Sequence, residues 1–343
     1  MRIRLDNLLF PAAAGVALLA ALYFVVLAPA PATPESPDAG PAISRGLEFV
    51  SKVNITSDTL DAGEQAIPAD GKYENLSELA LYRKTDFMLD LHFIGDELED
   101  AGAAGKRVEE ADSFLGALAQ RWQEGSVDYK YFDSGGTGGE YAFDLYCMVA
   151  LATGDARMAE KIRAGLKERG WSSPAVQKFR EIIDESWCIM MLAANQEDSA
   201  VLARLADAKR SQLEAYSAGP GEGDGMGEIR RSYAAAHVLM ALDFMEEKGY
   251  DFGAYAGLKA QLQERIFSDA SAHMDSADYL SNSLYFLAKS AYPKQKLAPL
   301  ASALAGLQKA DGGWSSSLSP QMFRGLMSAR AVLALNAFGE ESG

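Results

Sequence analysis

Two acidic residues occupy matching places in two similar stretches of this chain. Asp144-Leu-Tyr-Cys147-Met-Val-Ala-Leu151 and Glu185-Ser-Trp-Cys188-Ile-Met-Met-Leu192 share acid, aromatic, cysteine and leucine at one spacing, offset by 41 residues. If both stretches are helices facing a common cavity, Asp144 and Glu185 form a carboxylate pair there. Unequal burial would push their pKa values apart, so that one serves as general acid and the other as base. The plainer alternative is two helix-surface acids with no task. Asp90 joins the pair if its own helix presents it at the same level.

The slot just before each cysteine holds Tyr146 and Trp187, and the equivalent slots further along hold His237 and Arg330. Rings, imidazole and guanidinium at one level suit an anionic or polyhydroxylated ligand, because Arg binds flat oxyanions through two parallel hydrogen bonds and rings stack on sugars. The competing reading is internal: Arg330 paired with Asp144 or Glu185 needs no ligand at all. The offset also places Cys147 and Cys188 on adjacent helices, as a candidate disulfide or as two buried thiols. Two further clusters are weaker. Glu222, Asp224 and Glu228 in a glycine-rich loop could offer oxygens to calcium, and Asp269, His273, Asp275 and Asp278 crowd one stretch. Neither has the spacing of a known ion loop, and acids near a helix start are favourable for capping and dipole reasons alone, so no metal and no cofactor is expected.

The elements that must carry these residues are helices. Apolar spacing is helical from about residue 42 to the end, with no convincing strand-like alternation. Gly154 then Asp155, Gly170 with Ser173-Pro174, and Gly249 with Asp251 read as helix stops followed by starts, and Ser319-Pro320 opens the last helix. These signals cut the chain into helices near 42–53, 76–99, 107–123, 139–153, 156–169, 174–195, 199–216, 229–248, 252–267, 275–291, 294–309 and 320–338. Leu151, Leu192, Leu242, Leu287 and Leu335 mark a repeat of one helical hairpin. A single hairpin cannot cover its own apolar face, so copies must stack, as an open solenoid or closed into a ring. Second helices such as Tyr233-Ala-Ala-Ala-His237-Val-Leu-Met-Ala-Leu242 are apolar nearly all round, which suits an inner layer and favours closure.

The chain's 343 residues carry 32 Lys plus Arg against 48 Asp plus Glu, and 48% of its side chains are apolar. A core of full size is therefore expected, and a net charge of −16 argues against nucleic acid as partner. Two cysteines exclude a disulfide-dense scaffold and any four-cysteine metal site. Residues 8–28 carry no charge, and 21 residues of helix match the hydrocarbon thickness of a bilayer. Residues 1–7, with Arg2 and Arg4, are then cytoplasmic, 8–28 is a single-pass anchor, and everything beyond is extracytoplasmic. A cleaved signal ending near Ala30 and Ala32 is the rival and would make the body secreted. Residues 29–41 hold five of the twelve prolines and read as an extended spacer ahead of a repeat domain at 42–343.

One segment carries a family likeness. Gln308-Lys-Ala-Asp-Gly312-Gly-Trp314, lying between two helices, resembles the glutamine-tryptophan repeat of the squalene cyclase and protein prenyltransferase β-subunit superfamily. That resemblance implies an α/α toroid, here of about six helical hairpins. It implies a structural task for Gln308, Gly312 and Trp314, with the amide bonding free backbone groups at helix ends and the indole packing over it. The superfamily's catalytic marks are missing: there is no Asp-x-Asp-Asp string, and no Asp-x-Cys precedes a suitably placed His.

Three functions follow in order. The first is a membrane-anchored, extracytoplasmic ring that binds a small molecule, lipid or protein without terpene cyclase or prenyltransferase catalysis. The second is a carbohydrate-active hydrolase, lyase or epimerase working with cavity carboxylates; the third is an isoprenoid or lipid enzyme with an apolar cavity. Whether the chain is an enzyme at all stays open at this point.

Overall fold

Every regular element among the described residues of the computed structural model is helical. The structure describes residues 38–53, 78–98, 100–124, 147–160, 164, 190–191, 193–195, 225–250, 256–316 and 323–340, all within the unit Pro37–Gly343. The expected anchor at 8–28 and most of the spacer lie outside these residues. No described helix is long and apolar enough to cross a membrane.

The helices are α1 (Gly40–Lys52), α2 (Glu78–Glu97), α3 (Gly105–Glu124, led by a 3-10 turn at Gly102–Ala104), α4 (Gly225–Glu247), α5 (Ala256–Ala272), α6 (Ala277–Lys289), α7 (Lys294–Gly306) and α8 (Arg324–Gly339). Shorter helical pieces cover 147–153 and 156–160. The first helix opens inside the expected spacer because Pro41 stands in its first turn, where a missing N–H costs nothing. Between the two short pieces the chain stops at Gly154, whose φ is +60°, and restarts at Asp155, whose carboxylate accepts from the N–H groups of Arg157 and Met158 at 3.0 and 3.1 Å. Gly249, at φ +82°, closes α4 with Tyr250 N–H donating to Met245 and Gly249 N–H donating to Glu246, a paired C-terminal cap. The last helix departs from expectation. It begins at Arg324, after Phe323 in the left-handed region at φ +59°, and 317–322 lie outside the described residues.

Burial divides the helices into two kinds. In α8 twelve of sixteen residues are buried, on every face, and in α6 ten of thirteen are. By contrast α1 buries only Ala42, Gly46, Leu47 and Val50, and α7 only five residues. Helices surrounded by protein form an inner layer and one-faced helices an outer one. The inner neighbours run α4, α6, α8, α2. Outside them, α5 packs on α4 and α6, α7 on α6 and α8, α1 on α8, and α3 on α2. The first described helix therefore serves as the outer partner of the last. Leu242, Leu287 and Leu335, three of the repeating leucines, all sit in the core.

The segment Gln308 to Trp314 fastens that meeting of chain ends. Gln308 Nε2 donates to the carbonyls of Ala42 in α1 and Gly312 in its own loop, each at 2.8 Å. Trp314 is fully buried and donates through Nε1 to the Leu304 carbonyl at 2.7 Å, while its backbone N–H donates to Ser328 Oγ in α8 at 2.9 Å. Gly312 has φ +92°, and a methyl added there would stand 2.6 Å from the Arg45 carbonyl oxygen. Glycine is thus required twice over, by conformation and by the approach of α1.

Candidate functional site

A cavity of about 60 Å³, room for several waters, is lined by four helices of the inner layer among the described residues. Helical periodicity decides which side chains reach it. Asp86, Leu89, Asp90 and Phe93 share one face of α2 at spacings of three and four; His237 and Met240 come from α4, and Arg330 and Leu333 from α8. The α6 wall is Ser281, Asn282, Tyr285 and Phe286. About half of the lining is apolar, and the ion-paired groups, Asp86, Asp90 and Arg330, lie between α2 and α8.

The polar centre is an ion triad. Arg330 donates through Nη2 to Asp86 Oδ2 at 2.6 Å and through Nε to Asp90 Oδ2 at 2.9 Å. All three side chains are largely withdrawn from solvent, with 21, 20 and 13% of Arg330, Asp86 and Asp90 exposed. Burial pushes the Asp90 carboxyl up from 3.8 to about 7, against the pull of Arg330 and with a further push from the Asp86 charge. Desolvation outweighs the salt bridge because one guanidinium is shared between two carboxylates. At the cavity's edge Tyr285 Oη donates to Glu97 Oε1 at 2.6 Å, and Lys289 Nζ stands 3.1 Å from the other Glu97 oxygen. Burial, and then Glu97, hold the Tyr285 hydroxyl well above its usual value, so it remains a donor. His237 packs its ring 5.6 Å from that of Phe286.

Of the residues singled out from sequence, His237 and Arg330 line this cavity, on α4 and α8. Asp90 joins them, as its helical position allowed. Arg330 is bound by Asp86 and Asp90, because α8 lies beside α2; the partners expected from sequence, Asp144 or Glu185, lie outside the described residues. Asp144, Tyr146, Glu185, Trp187 and Cys188 lie outside the described residues, as do Glu222 and Asp224 and the side chain of Glu228. Cys147 is buried and disulfide-bonded. The acid-rich stretch near the end of α5 has local partners: His273 Nδ1 lies 2.8 Å from the Asp269 carbonyl oxygen and its ring stacks on Tyr279 at 4.0 Å. No group of three or more His, Cys, Asp or Glu that could hold a metal occurs among the described residues.

Sequence reasoning passed over Asp86, Ser281, Asn282 and Tyr285. Asp86 stands four residues before Asp90, which places both carboxylates on one helical face. Ser281 and Asn282 are two of four buried polar residues in α6, with Asp278 and Ser283, and buried polar groups call for partners.

The fold and cavity define an all-helical, two-layered protein with a buried ionic site on its inner layer. Comparison of the chain with family models, curated proteins and solved structures returns no match, so the geometry carries the functional argument alone.

Proposed function

We propose that this chain is an α/α-toroid binding module, held outside the cytoplasm by its N-terminal anchor, whose ligand seats in the cavity between α2, α4, α6 and α8. The observation that carries this reading is the Asp86–Arg330–Asp90 triad facing a cavity lined by Phe93, Tyr285 and Phe286 between α2, α4, α6 and α8. Support for the ring comes from the neighbour order α4, α6, α8, α2, from α1 serving as outer partner of α8, and from the likeness of Gln308 to Trp314 to the cyclase and prenyltransferase repeat. The uncharged stretch 8–28 supports the anchor. A disulfide at Cys147 suits an oxidising compartment. Three charged groups in the cavity walls weigh against an isoprenoid substrate, which calls for an apolar chamber.

The test is thermal unfolding of the full 343-residue chain in mild detergent, against a panel of sugars, polyprenyl lipids and small organic ions. Ligand at a hundred times its dissociation constant adds about 2.7 kcal/mol, a rise of about 4 °C for a domain of this size. A rise that disappears in Asn282→Leu, which fills the cavity and leaves the triad in place, supports the reading. A flat response to the whole panel overturns it.

A second reading is favoured by the pKa of Asp90. A carboxyl raised to about 7 beside a second carboxyl has the poise of a general acid, as in a carbohydrate hydrolase, lyase or epimerase. Turnover of an oligosaccharide that Asp90→Asn abolishes, with binding retained, establishes it. A stabilising sugar that is never turned over removes it.

A further inference from the structure

Among the described residues, two carboxylates face one guanidinium in the inner-layer cavity, an excess of negative charge when both are ionised. Among the described residues, the groups that line the cavity with Asp90 and can carry charge are Asp86 on its own helix, His237 from α4, Tyr285 from α6 and Arg330 from α8. Tyr285 points its proton at Glu97, so it does not neutralise the aspartates. Across the cavity the Ser281 hydroxyl is wholly buried and has no hydrogen-bond partner among the described residues. Beside it Asn282 is 8% exposed and lines the same wall. A buried hydroxyl left without a partner costs about 1–3 kcal/mol unless something enters to bond it. Phe93 and Phe286 also line the cavity, and aromatic faces attract cations.

Resting on the binding reading above, we propose that the cavity receives a small protonated amine on a short polar chain, its ammonium at Asp86 and Asp90 and its hydroxyl or ether at Ser281 and Asn282. Size supports this choice. About 60 Å³ admits a handful of water-sized groups, too few for a sugar ring buried whole. Charge supports it too, since an anion, the class that the lone Arg330 suggests from sequence, meets a guanidinium already bridged by two carboxylates. The amine can be free or the exposed end of a larger molecule such as a lipid headgroup.

The decisive experiment is isothermal titration of the full chain in detergent with three probes of nearly equal size: ethanolamine, ethylene glycol and glycolate. Ethanolamine is expected to bind, the neutral and anionic probes at least about tenfold more weakly, the value of one charge-assisted hydrogen bond. Asp86→Asn and Asp90→Asn should each weaken ethanolamine binding by about tenfold or more on the same grounds. Asn282→Leu blocks the cavity with the aspartates intact and should abolish binding, so a folding defect in either Asp variant leaves an independent check. Because ammonium replaces the Asp90 proton, affinity should rise as pH passes upward through about 7, with proton release seen as a dependence of the heat on buffer. A parallel titration with phosphatidylethanolamine vesicles separates the sources: tighter binding there assigns a lipid-borne amine, no binding there a free one. Equal or tighter binding of ethylene glycol or glycolate overturns the amine. A sugar that stabilises the chain while ethanolamine does nothing overturns it and leaves the binding module standing, whereas silence from every compound removes both.

Discussion

Asp90→Asn should change how the stability of this protein depends on pH. The folded carboxyl titrates at about 7 against 3.8 ordinarily, because burial disfavours its charge more than Arg330 favours it. A carboxyl raised on folding binds its proton more tightly in the folded chain. Its stabilisation is therefore complete below about pH 4 and is lost as pH rises to about 7. At about 1.4 kcal/mol per pH unit of displacement, the loss reaches up to roughly 4 kcal/mol. Asparagine has nearly the same shape and can still accept from Arg330 Nε, but it does not titrate. Urea unfolding of both chains at a series of pH values isolates the effect, because every other group is common to the two. The difference in stability, variant minus wild type, should climb by about 2 to 4 kcal/mol between pH 4 and pH 8 and then level off. A difference that stays constant across that range refutes the argument that burial dominates at Asp90. One that falls with pH shows that the attraction of Arg330 wins instead.

Three further perturbations test the frame that holds this site. Ala291 ends α6 in the left-handed region at φ +56°, where its β-carbon is strained and its side chain is exposed, so Ala291→Gly should stabilise the chain by about 0.5–1 kcal/mol in urea unfolding. Gly312→Ala meets both a φ of +92° and the Arg45 carbonyl at 2.6 Å, and should lower the unfolding temperature by several degrees, equivalent to about 2–3 kcal/mol. Trp314→Phe keeps an aromatic ring but removes the indole donor to the Leu304 carbonyl and leaves part of a fully buried site unfilled, at a cost of about 1–3 kcal/mol by the same measurement. An unchanged stability in either of the last two variants contradicts the fastening role given to that segment.

Much of this architecture is legible in single residues. Gly154 with Asp155, and Gly249, mark helix ends by mechanisms that the chain itself displays, and the bounds of α1, α2, α3 and α7 fall within about three residues of those expected. Ends without such residues are not legible. Phe323 takes a left-handed conformation that its side chain does not advertise ahead of a helix that starts four residues later than expected, and α5 runs five residues past its expected end. Polar residues such as Ser268 and Asp269 look like a boundary although an outer helix carries them without cost on its solvent side. The site was half legible for a related reason. Arg330 and His237 stand out as polar positions on apolar helices, whereas the partners of Arg330 depend on α8 lying beside α2, some 240 residues away in sequence. No local pattern encodes that neighbour.

The fastening at the chain ends and the ionic site meet in one helix. Ser328 and Arg330 are two residues apart in α8, a separation that turns them through about 200° and sets them on opposite faces. Ser328 accepts from Trp314 N–H and donates to the Arg324 carbonyl at 2.6 Å, on the side facing α7 and α1; Arg330 reaches α2 on the other side. Fixing the first fixes the rotation of the second. A guanidinium must be aimed within a few tenths of an ångström to bridge two carboxylates, so the segment that joins the first helix to the last also sets the geometry of the cavity. The residues that resemble a structural repeat and those that could bind a ligand are then parts of one arrangement, and loosening α1 from Gln308 should be felt at Asp86 and Asp90 before it is felt in the outer helices.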